Sequence, residues 1–109
     1  MRNNYKEVNV MGYTMLMDVR GTSEKSKYYV VQVINREAKE KNRFAPELAV
    51  NTWNPLMDED NKEYKIEIHT SGIGSLTLEE YPKYVEAVQK AYLVAQELQE
   101  VLDQYIENN

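Results

Sequence analysis

TSGIGSLTLEEYPKY, Thr70 to Tyr84, is the junction on which the fold turns. Upstream of it, Tyr64, Ile66 and Ile68 alternate with Lys65, Glu67 and His69, the period-two pattern of a strand with one buried face. Downstream, Tyr81, Val85, Val88, Tyr92, Ala95, Leu98, Leu102 and Tyr105 recur every three or four residues, the pattern of an amphipathic helix. Thr77 and Glu80 match the S/T-x-x-E capping box, with Leu76 and Tyr81 placed to form a hydrophobic staple. Pro82 leaves two readings: a short separate first turn, or a helix that starts with Pro82 at its first position. Beyond it no proline or glycine follows, so the helix is expected to run to about Tyr105, roughly 35–40 Å at 1.5 Å per residue.

A strand, then Ser71-Gly72-Ile73-Gly74-Ser75, then a helix start is also the order of elements that holds phosphate at a helix N-terminus. The phosphate fingerprints need a third glycine or a lysine in the loop. Thr77 stands where the third glycine belongs, and no Lys or Arg lies between Lys65 and Lys83. Glu79 and Glu80 occupy the first helical turn, where they compete with an anion for the helix dipole. We read the stretch as a turn.

Working back toward the start, Val8 and Val10 alternate, then Tyr13, Met15, Met17 and Val19 alternate in the opposite phase. A slip at Met11-Gly12 suggests a β-bulge or a bend. RGTSEKSK, Arg20–Lys27, reads as a hairpin loop, and YYVVQVI, Tyr28–Ile34, as a strand rich in β-branched and aromatic residues. REAKEKNR, Arg36–Arg43, is charged all round, either a short solvated helix or an exposed loop. Glu47–Trp53 supplies a third strand with Leu48 and Val50 on one face, broken by Asn54-Pro55 and a polar turn. The expected fold is α+β: an antiparallel sheet of about four strands over 1–70, then a turn and one long C-terminal helix over 71–109, in one domain. The apolar Val101, Leu102, Tyr105 and Ile106 are expected to overhang the sheet and to need a partner, such as a second copy of the chain.

With 42% hydrophobic residues the chain can build a core. No apolar run approaches the ~18 residues of a membrane span, and the opening MRNNYKEVNV carries no apolar signal region. Without cysteine there is neither disulfide nor thiolate chemistry, and we read the protein as cytoplasmic. The net charge of −5 is unevenly spread: residues 1–45 hold nine Lys/Arg and five Asp/Glu, residues 46–109 four and thirteen. An acidic helix face repels nucleic acid and attracts basic protein surfaces.

Catalytic chemistry finds little to work with. Asp58-Glu59-Asp60-Asn61 is followed by Lys62 and Glu63, where a calcium loop needs Asx and then glycine, so it reads as a solvated acidic tip. His69, the only histidine, has no second histidine or cysteine with which to bind zinc, and no serine stands in a nucleophile elbow. We assign no catalytic residue, metal ligand or cofactor and read the chain as a non-enzyme. Arg36, Lys39, Lys41 and Arg43, beside Phe44, could contact nucleic acid, but Glu37 and Glu40 interrupt them. Nine tyrosines against one phenylalanine favour half-buried and interface positions. Tyr81 and Tyr92 are expected in the core, and Tyr84, one step off the helical stripe, is expected to be exposed.

GIGSLTLEEYPKYVEAVQKAYLVAQELQEVL, about the last third of the chain, resembles in style the small acidic proteins of phages and mobile elements, among them anti-CRISPR inhibitors. That resemblance implies a non-enzymatic, stoichiometric inhibitor of a host defence protein, and carries over no functional residue. The reading from the residues is compatible with it. An acidic surface docks on a host protein with a basic surface through Asp58, Glu59 and Asp60 and through Glu79, Glu86, Glu97, Glu100 and Asp103, with exposed tyrosines such as Tyr84 adding affinity. The alternatives are a self-associating module that dimerises through its helix and a nucleic-acid binder using residues 36–43. Neither membrane nor direct nucleic-acid contact is expected of the preferred reading.

Overall fold

The computed structural model describes residues 5–21, 27–53, 63–69 and 74–109. Among these residues five strands and two helices follow in order: β1 (Lys6–Val10), β2 (Tyr13–Arg20), β3 (Tyr28–Ile34), α1 (Arg36–Lys41), β4 (Leu48–Trp53), β5 (Glu63–Ile68) and α2 (Glu80–Asn108). The class is α+β, but the single sheet of about four strands is corrected. β1-β2-β3 form one antiparallel sheet and β4-β5 a second antiparallel pair. The charged stretch after β3 folds as α1 and interrupts the meander there. The N–H of Tyr29 on β3 donates to the Tyr64 hydroxyl of β5 at 3.3 Å, not to a backbone carbonyl of β4.

The phase slip at Met11-Gly12 is a chain reversal, neither bulge nor bend. Val10 pairs with Tyr13, leaving a two-residue loop, and Met11 (φ 50) and Gly12 (φ 89) both carry the positive φ of the turn whose twist matches a hairpin. Val8 therefore faces Met15 and Val10 faces Tyr13 on one side of the sheet, although their numbers differ in parity. At Gly12 a Cβ would lie 2.8 Å from the backbone nitrogen of Ala38, so only glycine lets α1 approach. The same Ala38 N–H donates to the Gly12 carbonyl at 3.2 Å.

Tyr13, Met15, Met17 and Val19 of β2 are buried and meet Val31, Val33 and Tyr29 of β3 in the core. Tyr13 donates its hydroxyl to the Pro46 carbonyl at 2.8 Å, and burial pushes its phenol up to about 12. On β5 the expected faces hold: Tyr64, Ile66 and Ile68 pack inward while Lys65, Glu67 and His69 are exposed.

α2 begins with a complete capping box. Glu80 N–H donates to Thr77 Oγ1 at 3.1 Å and Thr77 N–H to Glu80 Oε1 at 3.0 Å, satisfying two donors that the helix leaves orphaned. Pro82 sits within the first turn of one continuous helix, which extends to Asn108, past the expected end. Its buried line is Ala87, Ala91, Val94, Leu98, Leu102 and Tyr105. The upper part of the expected stripe is thus corrected: Tyr81 (57%), Val85 (40%) and Tyr92 (53%) are exposed. Alanines at 87 and 91 let the helix backbone approach its neighbours closely, which turns the larger side chains onto the flank.

The expected overhang at the other end is corrected too. Leu102 and Tyr105 are buried, and Val101 and Ile106 pack against the core. Tyr29 reaches this end from β3, donating its hydroxyl to the Ile106 carbonyl at 3.2 Å and meeting the Tyr105 ring edge-on at 6.1 Å. Burying Leu98 or Leu102 contributes about 1.5–3 kcal/mol each by the area it removes from water.

Candidate functional site

The outward side of α2 is the most distinctive surface of the chain. By the helical period, Leu78, just before the helix, lies on the same flank as Tyr81, Val85 and Tyr92. Leu78 is 94% exposed, so the flank is apolar and open to solvent over the first half of the helix. Further along it turns polar, with Gln96, Gln99 and Asp103. Gln96 donates to the Tyr92 hydroxyl at 3.2 Å, and Gln99 donates to Asp103 at 3.0 Å.

The acidic residues expected to bind a partner are not gathered on one line. Glu79, Glu86 and Glu97 follow one side of α2, where Lys83 and Lys90 lie among them; Glu86 and Lys90 pair at 3.7 Å. Glu100 lies further round, and Asp103 stands on the Tyr92 flank. After Lys90 the chain contains no Lys or Arg, so Glu97, Glu100, Asp103 and Glu107 make the second half of the helix acidic without interruption. All four are exposed. Asp58, Glu59 and Asp60 lie outside the described residues.

Tyr84 corrects its expectation. It is half-buried, its ring edge-on to Phe44 at 6.2 Å, because the loop after α1 folds against the start of α2. Arg43 in that loop lies over the Phe44 ring at 4.5 Å and pairs with Glu80. The basic run is therefore partly consumed in holding the helix start. The N–H of Thr77 first, then its hydroxyl, hold the Glu80 carboxyl below its ordinary value; burial opposes them, and the Arg43 charge adds a smaller lowering.

A cleft of about 620 Å³ opens beside this pair, lined by Lys39, Arg43, His69 and Glu80 among others. His69 is exposed there and its backbone N–H donates to the Glu47 carbonyl at 2.9 Å. Among the described residues no group of three His, Asp or Glu side chains could hold a metal ion. A Cβ on Gly74 would meet nothing within 4 Å, so no close backbone approach requires that glycine. Ser71, Gly72 and Ile73 lie outside the described residues.

The residue that sequence reasoning missed is Gln99. Its amide lies along the open edge of β5, accepting from the Ile66 N–H at 2.8 Å and donating to the Tyr64 carbonyl at 2.9 Å. Beside it Ile66, Ile68, Tyr92 and Ala95 line a shallow groove of about 570 Å³. Its signal in the sequence was a glutamine bordering an apolar helical stripe, which tells a reader nothing until the strand beside it is known.

The geometry defines a small α+β protein whose long helix shows an open apolar flank over its first half and exposed acidic residues on more than one side of its second. No helix among the described residues is long and apolar enough to cross a membrane. Compared with protein-family models, curated proteins and solved structures, the chain matches none.

Proposed function

We propose that the protein is a non-enzymatic protein-binding module that lays the outer side of α2 on a basic partner. In the setting its resemblance implies, that partner is a host defence protein, such as a CRISPR nuclease, whose nucleic-acid-binding surface it blocks. The observation that carries the reading is the acidic second half of α2, exposed and without a single Lys or Arg, continuous with the exposed Tyr92. The charges speed and orient docking, and the aromatic anchor supplies affinity. The test immobilises the protein and offers it purified RNA-guided nucleases at low and high salt, with DNA as competitor. A retained nuclease is expected to be released by salt and by DNA, and to be lost when Glu97, Glu100, Asp103 and Glu107 are changed together to their amides. Retention indifferent to DNA and to those changes overturns the proposal.

A second reading rests on the apolar first half, Leu78, Tyr81 and Val85, which a second copy could cover. Light scattering decides it: a concentration-dependent dimer abolished by Tyr81→Ser supports self-association, and a strict monomer removes it.

A further inference from the structure

Among the described residues β5 has one partner strand, β4, and its other edge is the most chemically specific open feature there. The His69 N–H donates to Glu47, one step beyond the Leu48–Ile68 pair, so residues 67 and 69 turn their backbone groups toward β4. The alternating ladder then turns the N–H and C=O groups of Tyr64, Ile66 and Ile68 to the outer edge. Gln99 takes two of them, the Tyr64 carbonyl and the Ile66 N–H, as a peptide unit of a sixth strand would. The next two along the edge, the Ile66 carbonyl and the Ile68 N–H, have no partner among the described residues.

Those two groups lie at the groove formed by Ile66, Ile68, Tyr92 and Ala95, with Gln96 and Glu100 at its rim. An open edge offering a donor and an acceptor, beside a groove that takes side chains, suits an extended backbone. The charge of the rim selects its composition. From Tyr92 onward the side of the helix alongside carries Glu100 and Asp103 and no Lys or Arg, so a basic segment is favoured where a neutral or acidic one would gain nothing.

We infer that the free edge of β5, between Ile66 and the Tyr92–Glu100 stretch of α2, captures an extended basic segment of the partner as an added strand. This rests on the proposed docking to a basic partner and specifies the form in which the partner is held. The extended segment completes the hydrogen bonds at Ile66 and Ile68, places alternate side chains against Tyr92 and Ala95, and sets its basic residues opposite Glu100 and Asp103.

The experiment titrates isotope-labelled protein with a short peptide alternating lysine with valine and threonine, read by amide NMR shifts and hydrogen exchange. The expected result is a shift at Ile66, Ile68 and Gln99, slowed exchange of the Ile68 amide, and weakening with salt. The same peptide methylated on alternate backbone nitrogens should bind about tenfold or more weakly. Gln96→Arg, an exposed change at the groove rim, should weaken binding while leaving the spectrum of the free protein folded. Shifts confined to residues 97–107, equal for the methylated peptide, overturn strand capture and leave acidic docking standing. Absence of shifts at both places overturns the strand capture and counts against the docking on which it rests.

Discussion

Along α2, Leu98 and Leu102 are sealed from solvent, while Tyr81, Val85 and Tyr92, spaced on the same helical period, remain between 40% and 57% exposed. The difference lies first in the side of the helix each occupies: Leu98 and Leu102 continue the buried line of Ala87, Ala91 and Val94, whereas Tyr81, Val85 and Tyr92 stand on the open flank. The second half of the helix meets Tyr29 of β3, which bonds the Ile106 carbonyl and stacks edge-on with Tyr105, and Tyr64 of β5, whose ring packs against Tyr29 at 5.4 Å. The first half is held by smaller means: the Thr77–Glu80 box, Arg43 on Glu80, the Phe44–Tyr84 contact and close packing at Ala87 and Ala91. Apolar periodicity announces a face for burial, but a neighbouring surface decides how much of that face is used.

The largest effect is expected from emptying the buried half. Leu98→Ala and Leu102→Ala should each cost about 2–5 kcal/mol in denaturant unfolding, because both leave cavities in a sealed core. A cost below about 1 kcal/mol would mean the second half is no better packed than the first.

The capping box tests the start of the helix at a smaller scale. Thr77→Ala should cost about 1 kcal/mol at neutral pH. Because the folded protein holds Glu80 below its ordinary 4.5, its ionised form stabilises the fold above that pH, and this stabilisation disappears as pH falls through the depressed folded value. Glu80→Gln should therefore unfold more easily than the parent at pH 7, with the gap closing in acid. A gap that stays constant down to pH 2 would show that the carboxylate charge plays no part.

The smallest effect is expected on the open flank. Val85→Ala and Tyr81→Ser should change stability by no more than about 0.5 kcal/mol, the range of surface substitutions. Larger losses in the isolated chain would show that these residues are covered in solution, and a dilution series would tell whether a second copy covers them.

Much of the fold was legible because it is local. The alternation over Tyr64–Ile68 reports one buried face, the Thr77–Glu80 spacing a helix start, and the absence of glycine and proline after Pro82 an unbroken helix. The Met11-Gly12 slip was legible as a break in phase but not as a reversal, since both readings shift the alternation by one residue. Only pairing of Val10 with Tyr13 separates them. The acidic bias of the second half of α2 was legible as composition; its separation from Glu79 and Glu86 by Lys83 and Lys90 depends on where the helix turns its sides. Tyr84 was misplaced because its partner, Phe44, lies forty residues away in sequence, and Gln99 because its partners are backbone groups of another element.

Local pattern was enough for the strand character of the β segments, the long helix, its cap and the charge of its tail, since each depends on residues within a few positions of one another. Tertiary structure alone decided that the strands split into two sheets, that Ala87 and Ala91 rather than Tyr81 and Tyr92 face inward, and that Gln99 lies along the edge of β5. Those outcomes depend on which surfaces approach within van der Waals and hydrogen-bonding distance, and pairwise proximity between distant segments leaves no periodic trace in one chain.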